Sequence, residues 1–183
     1  MIELRKITKS FGPQKVLCGL TAVLPEIGVV AVRGNSGSGK TTLLRIIANL
    51  ENADSGEILG LENKRVSYVF QEDRLLPHVS ALENISIICE KETALQWLNL
   101  FGLGDAAEKK PTELSGGMRR RVAAARALAY GADILLLDEP FTGLDSENIS
   151  VLKKEITRFA ETGLVLLVNH GEDTMPYDSE LIL

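Results

Sequence analysis

Short apolar runs alternate with segments of helical periodicity along most of this chain. The runs lie at residues 27–32, 65–70, 134–137 and Leu164–Val168. Mostly apolar runs of this length are typical of strands that are buried on both faces of a parallel sheet. Because helical segments separate the runs, we predict a layered α/β fold around a central parallel sheet.

The segment between the second and third runs has helical character throughout. Ser80 and Glu83 have the spacing of a capping box, in which the serine caps the helix and the glutamate bonds back to it. Apolar residues then recur at helical spacing around Trp97 until Gly102 supplies a C-terminal stop. This spacing predicts that Trp97 packs in the core, and we expect residues 72–115 to form a small inserted helical subdomain.

A glycine-rich loop joins the first predicted strand to a predicted helix at residues 40–49. Glycines in such a loop let backbone N–H groups surround phosphate oxygens, and the positive end of the next helix faces the same charge. Lys40 is expected to reach the β- and γ-phosphates and Thr41 to bind Mg²⁺, with Thr42 as a further ATP contact. The match indicates a nucleotide-binding P-loop rather than an ordinary turn, but it specifies no reaction. The loop is Gly34-Asn35-Ser36-Gly37-Ser38-Gly39-Lys40-Thr41.

An acidic pair, Asp138 and Glu139, follows the apolar run at residues 134–137. Ligands of open α/β sheets bind beside the carboxyl ends of the strands, where this pair is expected to lie. Asp138 is predicted to hold the Mg²⁺ shell, and Glu139 to orient and polarise the attacking water. Acidic pairs are common where loops begin, so the upstream P-loop and the turn at Pro140 are what favour a functional interpretation.

A serine and two glycines precede another predicted helix, at residues 116–130. Ser115 is a good N-cap, and the bare amides of a helix N-terminus can bind a second anion, although an ordinary capped helix has the same features. We expect the arginines at 119–121 to be solvent-facing or structural rather than to bind phosphate. The motif is Leu114-Ser115-Gly116-Gly117-Met118.

Together these motifs resemble those of the ABC ATPases, in which a serine-glycine-glycine signature turn distinguishes the family from other P-loop proteins. The resemblance covers nearly the whole chain. It implies an α/β P-loop NTPase (RecA-like) core with an N-terminal antiparallel β subdomain and the inserted helical subdomain. Residues 1–183 would form a single ABC ATPase domain, with the core and β subdomain at about 1–71 and 116–183. In that family two cassettes pair head to tail, and the signature turn of one closes over ATP held by the P-loop of the other.

The resemblance also implies roles for single residues. Phe11 matches the aromatic residue that stacks on adenine, and Gln71 matches the glutamine that touches Mg²⁺ and senses the membrane partner. Asp145 matches the loop that joins the two cassettes. His170 matches the histidine that contacts the γ-phosphate, and its position at the end of the fourth strand favours this role over a structural one. The implied catalytic residues are Lys40, Glu139 and His170, and the implied ATP contacts from the second cassette are Ser115, Gly116, Gly117 and Met118.

Residues 69–77 are similar to the importer ATPases of the nitrate, sulfonate and taurine group, which also includes uptake systems for thiamine-precursor pyrimidines. Met118, in place of the common glutamine, fits that group. The main hypothesis is therefore an importer ATPase that uses ATP and Mg²⁺. It would pair with itself or with a second ABC subunit, and it would act on a membrane permease served by an extracytoplasmic solute-binding protein. The alternatives are a non-transport ABC protein of DNA repair or ribosomes, and a degenerate cassette that binds nucleotide and regulates without turnover.

Composition and charge narrow these hypotheses. With 183 residues, 45% of them hydrophobic, the chain can bury one good core, and a net charge of −5 argues against nucleic-acid binding. Cys18 and Cys89 are too few for a disulfide framework and suit a reducing compartment. The chain has neither a signal peptide pattern nor an apolar run of about 20 residues. We therefore expect a cytoplasmic protein, peripheral on the inner face of the membrane, whose permease is another chain.

Several features depart from the family pattern. The chain is shorter than typical cassettes, and few residues follow His170. Gly171 stands where aspartate is common, and Asn49 stands where glycine often ends the P-loop helix. We expect these departures to affect dimer strength and turnover more than ATP binding. The interval between Gln71 and Ser115 is too short for the coiled-coil arm of the DNA-repair proteins.

Overall fold

The computed structural model describes residues 1–169 and 175–183, and within them the chain forms two sheets. One is antiparallel with strand order β2-β1-β4, and the other is parallel with order β5-β6-β7-β3-β8. The elements in chain order are β1 (Ile2–Phe11), β2 (Gln14–Leu24), β3 (Gly28–Arg33), α1 (Lys40–Ile47), β4 (Ser55–Leu59), β5 (Val66–Val69), α2 (Ala81–Ser86), α3 (Lys91–Leu100), 3₁₀ turns at Gly104–Ala106 and Pro111–Glu113, α4 (Gly116–Ala129), β6 (Ile134–Asp138), α5 (Ser146–Ala160), β7 (Leu164–Val168) and β8 (Ser179–Ile182).

The four strands predicted from apolar runs are all present in the parallel sheet, as β3, β5, β6 and β7. Their ends differ from the prediction by at most one residue. β7 pairs with both β3 and β6, so the strand before the P-loop and the strand before the acidic pair lie one strand apart. The carboxyl ends of these parallel strands meet at one edge, which brings the predicted site residues together. The antiparallel sheet implied by the family resemblance is also observed.

Both faces of the parallel sheet are buried, as the apolar runs predicted. Val29, Leu135 and Val165 belong to the hydrophobic cluster on one face, and the residues that follow each of them in sequence belong to the cluster on the other. Leu98 of the helical block belongs to the first cluster, and the partly buried Trp97 packs against that cluster, as its helical spacing predicted. The helical block thus shares a core with the sheet, and its status as a separate subdomain stays a prediction. No helix in residues 1–169 and 175–183 is both long and apolar enough to cross a bilayer.

Helix α1 ends at Ile47, two residues before the predicted end at Asn49. The backbone of Asn49 is left-handed, with φ of 55°. Asparagine adopts this conformation more readily than other residues with a Cβ atom, because its short side chain bonds locally. Asn49 therefore supplies the helix-ending conformation for which glycine is usually chosen.

The predicted capping box of α2 is confirmed. Ser80 Oγ accepts from Glu83 N at 3.2 Å, and Glu83 Oε2 accepts from Ser80 N at 2.7 Å. Ser80→Ala is expected to lower the free energy of unfolding by about 1 kcal/mol, because the backbone N–H of Glu83 loses the hydroxyl that accepts its hydrogen bond. Chemical denaturation measures this loss. Thr157→Ala is the control, since it removes an exposed hydroxyl inside α5 and is expected to change stability by less than about 0.5 kcal/mol. Equal effects of the two substitutions would contradict the role of the cap.

Candidate active site

An open cleft of about 350 Å³ lies where the predicted motifs meet, at the carboxyl ends of β3, β5 and β6. The P-loop forms one wall and the acidic pair the other. Most residues predicted to bind ATP or metal line this cleft, whereas Gly34, Asn35 and Ser38 complete the loop without lining it. The lining residues are Phe11, Gln14, Val16, Ser36, Gly37, Gly39, Lys40, Thr41, Thr42, Gln71, Asp138 and Glu139.

The glycines of the loop are required by its geometry. Gly34 has φ of 149°, and a Cβ atom there would lie 2.5 Å from Ser38 Oγ and 2.7 Å from Leu183 O. Gly39, with φ of 97°, is packed just as closely against the side chains of Val16 and Leu17. Side chains at either position would open the loop, so the loop can keep this tight form only with glycine. Among the described residues, Ser38 Oγ is a buried oxygen without a hydrogen-bond partner.

Lys40 is held at the centre of the loop. Its Nζ donates to Gly34 O at 2.9 Å and to Asn35 O at 2.7 Å, and the residue is only 6% exposed. Burial lowers the pKa of the Lys40 amine, and the charges of Asp138 and Glu139 oppose that shift. The ammonium group is therefore fixed between the loop and the acidic pair, where a bound anion would meet it.

Asp138 ends β6 and is almost completely buried. Tyr68 of β5 donates its hydroxyl to Asp138 Oδ2 at 3.1 Å. Burial, reinforced by the Asp138 charge and this bond, raises the pKa of Tyr68. Tyr68 was missed from the sequence, although a tyrosine in a buried strand needs a partner for its hydroxyl. The pair fixes the orientation of the carboxylate toward the cleft.

Glu139 begins the loop after β6 with an unusual backbone. Its φ is 53°, in the left-handed region that residues other than glycine rarely adopt. Its N–H donates to Val168 O at 2.9 Å, which anchors the turn to β7. Its Oε2 lies 3.5 Å from Gln71 Nε2. Strained backbone of this kind often occurs where a side chain must be aimed at a reacting group.

The donors around Asp138 suit magnesium. Thr41, Gln71 and Asp138 all line the cleft and offer oxygen atoms, which are the ligands that Mg²⁺ prefers. Residues 1–169 and 175–183 contain no cluster of three or more histidine, cysteine or acidic side chains suited to a metal. A single carboxylate with a hydroxyl and an amide fits Mg²⁺, because this ion is usually held jointly by the protein, water and substrate phosphates.

Phe11 ends β1 at the rim of the cleft, and its ring is about half exposed. Lys9 Nζ lies 5.2 Å from the ring centroid. Lys9 is itself fixed by Glu51 at 2.6 Å and by Asn52 O at 2.8 Å. One side of the ring is thus supported by a cation, and an aromatic face at the rim can stack on a base. Nothing in the local sequence pointed to Lys9.

The signature turn lies away from the cleft of its own chain, since none of residues 115–118 lines it. Ser115 caps α4, and its Oγ accepts from Met118 N at 3.2 Å. A Cβ atom on Gly117 would lie 3.1 Å from Gly143 O, so α4 packs closely against the loop that follows Glu139. Asp145, at the end of that loop, caps α5 by accepting from Asn148, and these bonds lower its pKa.

The arginines after the signature turn are structural, which was one of the two expectations. Arg120 is only 7% exposed and donates to the carbonyls of Phe70 and Gln71. Arg121 donates to Phe101 O at 2.8 Å. These side chains hold α4 to the neighbouring segments. His170, the remaining predicted catalytic residue, lies outside the described residues.

Comparison with known proteins relates the chain to one family. The model of the ABC transporter family matches residues 17–142. The sulfate/thiosulfate import ATP-binding protein CysA of Yersinia pestis is 41% identical over 180 residues, which cover 86% of this chain and 48% of that protein. The chain therefore spans about half the length of that relative.

Two further relatives are matched over more of their length. The lipoprotein-releasing system ATP-binding protein LolD of Porphyromonas gingivalis is 40% identical, over 94% of this chain and 90% of that protein. The aliphatic sulfonates import ATP-binding protein SsuB 1 of Paracoccus denitrificans is 36% identical, over 94% of this chain and 74% of that protein. The SsuB match confirms the predicted resemblance to sulfonate importers.

The fold also matches a solved structure. A dimeric, post-hydrolysis form of the ATP-binding cassette MJ0796, bound to ADP and Pi, superposes with a TM-score of 0.80. The two chains are 30% identical, and the match covers 93% of this chain and 88% of MJ0796. The predicted α/β fold class is thereby confirmed.

Proposed function

The chain belongs to the ABC transporter family, and on that premise we propose that it is the ATP-hydrolysing subunit of a membrane transport system. The observation that carries the proposal is the meeting of Lys40, Asp138 and Glu139 at one cleft. A fixed cation, a buried carboxylate and an acidic side chain at a strand end are the groups that phosphoryl transfer to water requires. We assign ATP as the substrate.

Each residue has a role in that reaction. Phe11 would stack on the adenine, and the P-loop amides with Lys40 would hold the triphosphate in place. Glu139 would accept a proton from the attacking water, and the Gln71 amide beside it would help to orient that water. Positioning and electrostatic stabilisation, rather than covalent chemistry by the protein, would lower the barrier. His170 is proposed as a γ-phosphate contact from the family resemblance.

Magnesium is proposed as the cofactor, held by Thr41, Gln71 and Asp138. When bound, it would neutralise charge on the phosphate oxygens. Tyr68 contributes by fixing Asp138, because its hydroxyl donates to Asp138 Oδ2.

We propose that hydrolysis requires a second cassette. Ser115 and Gly116 are exposed at the N-terminus of α4, but none of residues 115–118 lines the cleft of its own chain. A second copy, or another ABC subunit, placed head to tail would bring its signature turn to the ATP bound here. The dimeric form of MJ0796 is consistent with this arrangement.

The membrane partner is proposed to dock on an apolar groove formed by β5, α4 and residues that follow α1 and α2. The groove includes Leu50, Tyr68, Phe70, Ile88 and Tyr130, and the side chain of Leu50 is 56% exposed. A helix of the permease is the proposed occupant, and binding there would place the chain peripherally on the cytoplasmic face of the membrane. Import is proposed from the likeness of residues 69–77 to the sulfonate importers, and a solute-binding protein would then serve the system.

Substitution of Ser115 tests the need for a second cassette. Aspartate and asparagine are both good N-caps, so Ser115→Asp and Ser115→Asn preserve the helix start and differ only by one negative charge. In the proposed dimer that charge would face the neighbour's triphosphate. We expect Ser115→Asp to lower kcat for ATP at least ~100-fold, and Ser115→Asn to keep it within about tenfold. ATP affinity of the isolated chain is expected to match wild type in both variants.

Phosphate release and nucleotide titration measure these quantities. The rate per wild-type chain is also expected to rise with protein concentration as dimers form. A nucleotide-binding regulator without turnover, the second candidate function, would release no phosphate at any concentration. Equal rates for the two Ser115 variants would contradict the head-to-tail arrangement.

A further inference from the structure

Arg120 connects two parts of the molecule that the proposed reaction uses. It is the fifth residue of α4, so it lies about one turn from the signature turn. Its Nη1 donates to Phe70 O at 2.6 Å, and its Nη2 donates to Gln71 O. Its Nε lies 3.4 Å from Asp73 Oδ1. All three nitrogens of this buried guanidinium group therefore hold residues 70–73, which we call the Gln71 segment.

The Gln71 segment connects Arg120 to the cleft. The carbonyl of Gln71 is bound by Arg120, whereas its side chain lines the cleft with Nε2 3.5 Å from Glu139 Oε2. A shift of this main chain by about 1 Å would carry the amide away from Glu139 and the attacking water, and misplacement of that size costs a rate on the order of 100-fold.

We propose that Arg120 is a positioning residue for ATP hydrolysis. It fixes the Gln71 side chain beside Glu139 and connects Gln71 to the signature turn. Gln71 and the signature turn therefore move together when a second cassette binds. The proposal rests on the proposed function, because it concerns the rate of the same reaction. If the Arg120 contacts only stabilised the fold, their loss would affect folding and ATP affinity but would have no specific effect on kcat.

Arg120→Lys is the informative variant. Lysine keeps the positive charge but cannot span two carbonyls and a carboxylate as the planar fork does. We expect kcat to fall about tenfold or more, with the dissociation constant for magnesium-free ATP within about twofold of wild type, because Gln71 is proposed to contact Mg²⁺ and the water but not the nucleotide itself. Arg121→Lys is the matched control, since Arg121 anchors the same helix to Phe101 O without touching the Gln71 segment. Its kcat is expected to stay within about threefold of wild type.

A double-mutant cycle separates positioning from structural support. Gln71→Ala removes the side chain that Arg120 is proposed to hold. In that background Arg120→Lys is expected to lower kcat by less than about twofold, because the two substitutions remove one shared effect. Losses that multiply would overturn the proposal. Equal falls in kcat and ATP affinity, or an Arg121→Lys loss as large as that of Arg120→Lys, would do the same.

Glu139→Gln in the same assay distinguishes failure of this inference from failure of the proposed function. If the wild-type chain releases no phosphate from ATP, the proposed function fails and the role of Arg120 fails with it. If wild type is active, Glu139→Gln is inactive and Arg120→Lys is fully active, only the role of Arg120 is overturned. Thermal unfolding of each variant shows whether a loss of kcat merely follows the unfolded fraction, which would also overturn it.

Discussion

Glu139→Gln should lower ATP hydrolysis at least ~100-fold, because it removes the proposed general base. Glutamine has nearly the same shape and can still accept the bond from Gln71 Nε2, but it cannot take a proton from water. ATP binding should persist, because Lys40 and the P-loop are unchanged. The variant should therefore accumulate as an ATP-bound dimer, which size-exclusion chromatography with light scattering would detect.

The control for this experiment is Glu161→Gln, which removes one exposed acidic group beyond the end of α5. Its hydrolysis should stay within about twofold of wild type, since isolated surface substitutions have small effects. If Glu139→Gln retained full turnover, Glu139 could not be the base, and the acidic pair would need a different role.

Lys40→Ala should weaken ATP binding by about 100-fold, which corresponds to about 2.7 kcal/mol. Charge-assisted hydrogen bonds to phosphate are among the strongest single contacts, and this amine is held in place before any ligand arrives. Its removal would also leave the carbonyls of Gly34 and Asn35 without this donor. Calorimetric titration with ATP measures the loss.

Lys109→Ala is the matched control for Lys40→Ala. Lys109 is an exposed lysine, so the two variants carry the same net charge. Its affinity for ATP should equal that of wild type. If Lys40→Ala bound ATP within about threefold of wild type, the assignment of the P-loop lysine to phosphate binding would be wrong.

The parallel sheet could be predicted because its inner strands are buried on both faces and so form apolar runs. β8, at the edge of that sheet, was missed because Leu181 is its only buried residue, so its sequence shows no such run. β1 and β2 were expected only from the family resemblance. Register shifts interrupt their pairing, and Lys6 has a positive φ, so the strict alternation that marks a half-buried strand is lost.

The P-loop, the acidic pair and the capped helices were visible because their residues are adjacent or a few positions apart. The supporting contacts were not. Tyr68 and Asp138 are 70 residues apart, and Arg120 and Gln71 are 49 apart. Each of these side chains acts by contacting a partner that is distant in sequence and close only in the folded structure. The residues next to it in sequence therefore do not reveal its role. Lys9, which supports the Phe11 ring, is a third example, because it is held by Asn52 O from 43 residues away.

The left-handed backbone of Glu139 has a consequence for the engineering of this protein. That conformation costs about 1–3 kcal/mol for a residue other than glycine, and glycine would adopt it freely. Selection for heat resistance alone would therefore favour loss of the acidic group, whereas selection for the proposed ATP hydrolysis would retain it. At this position thermal stability and activity therefore favour different residues. Libraries screened only by melting temperature would enrich inactive chains.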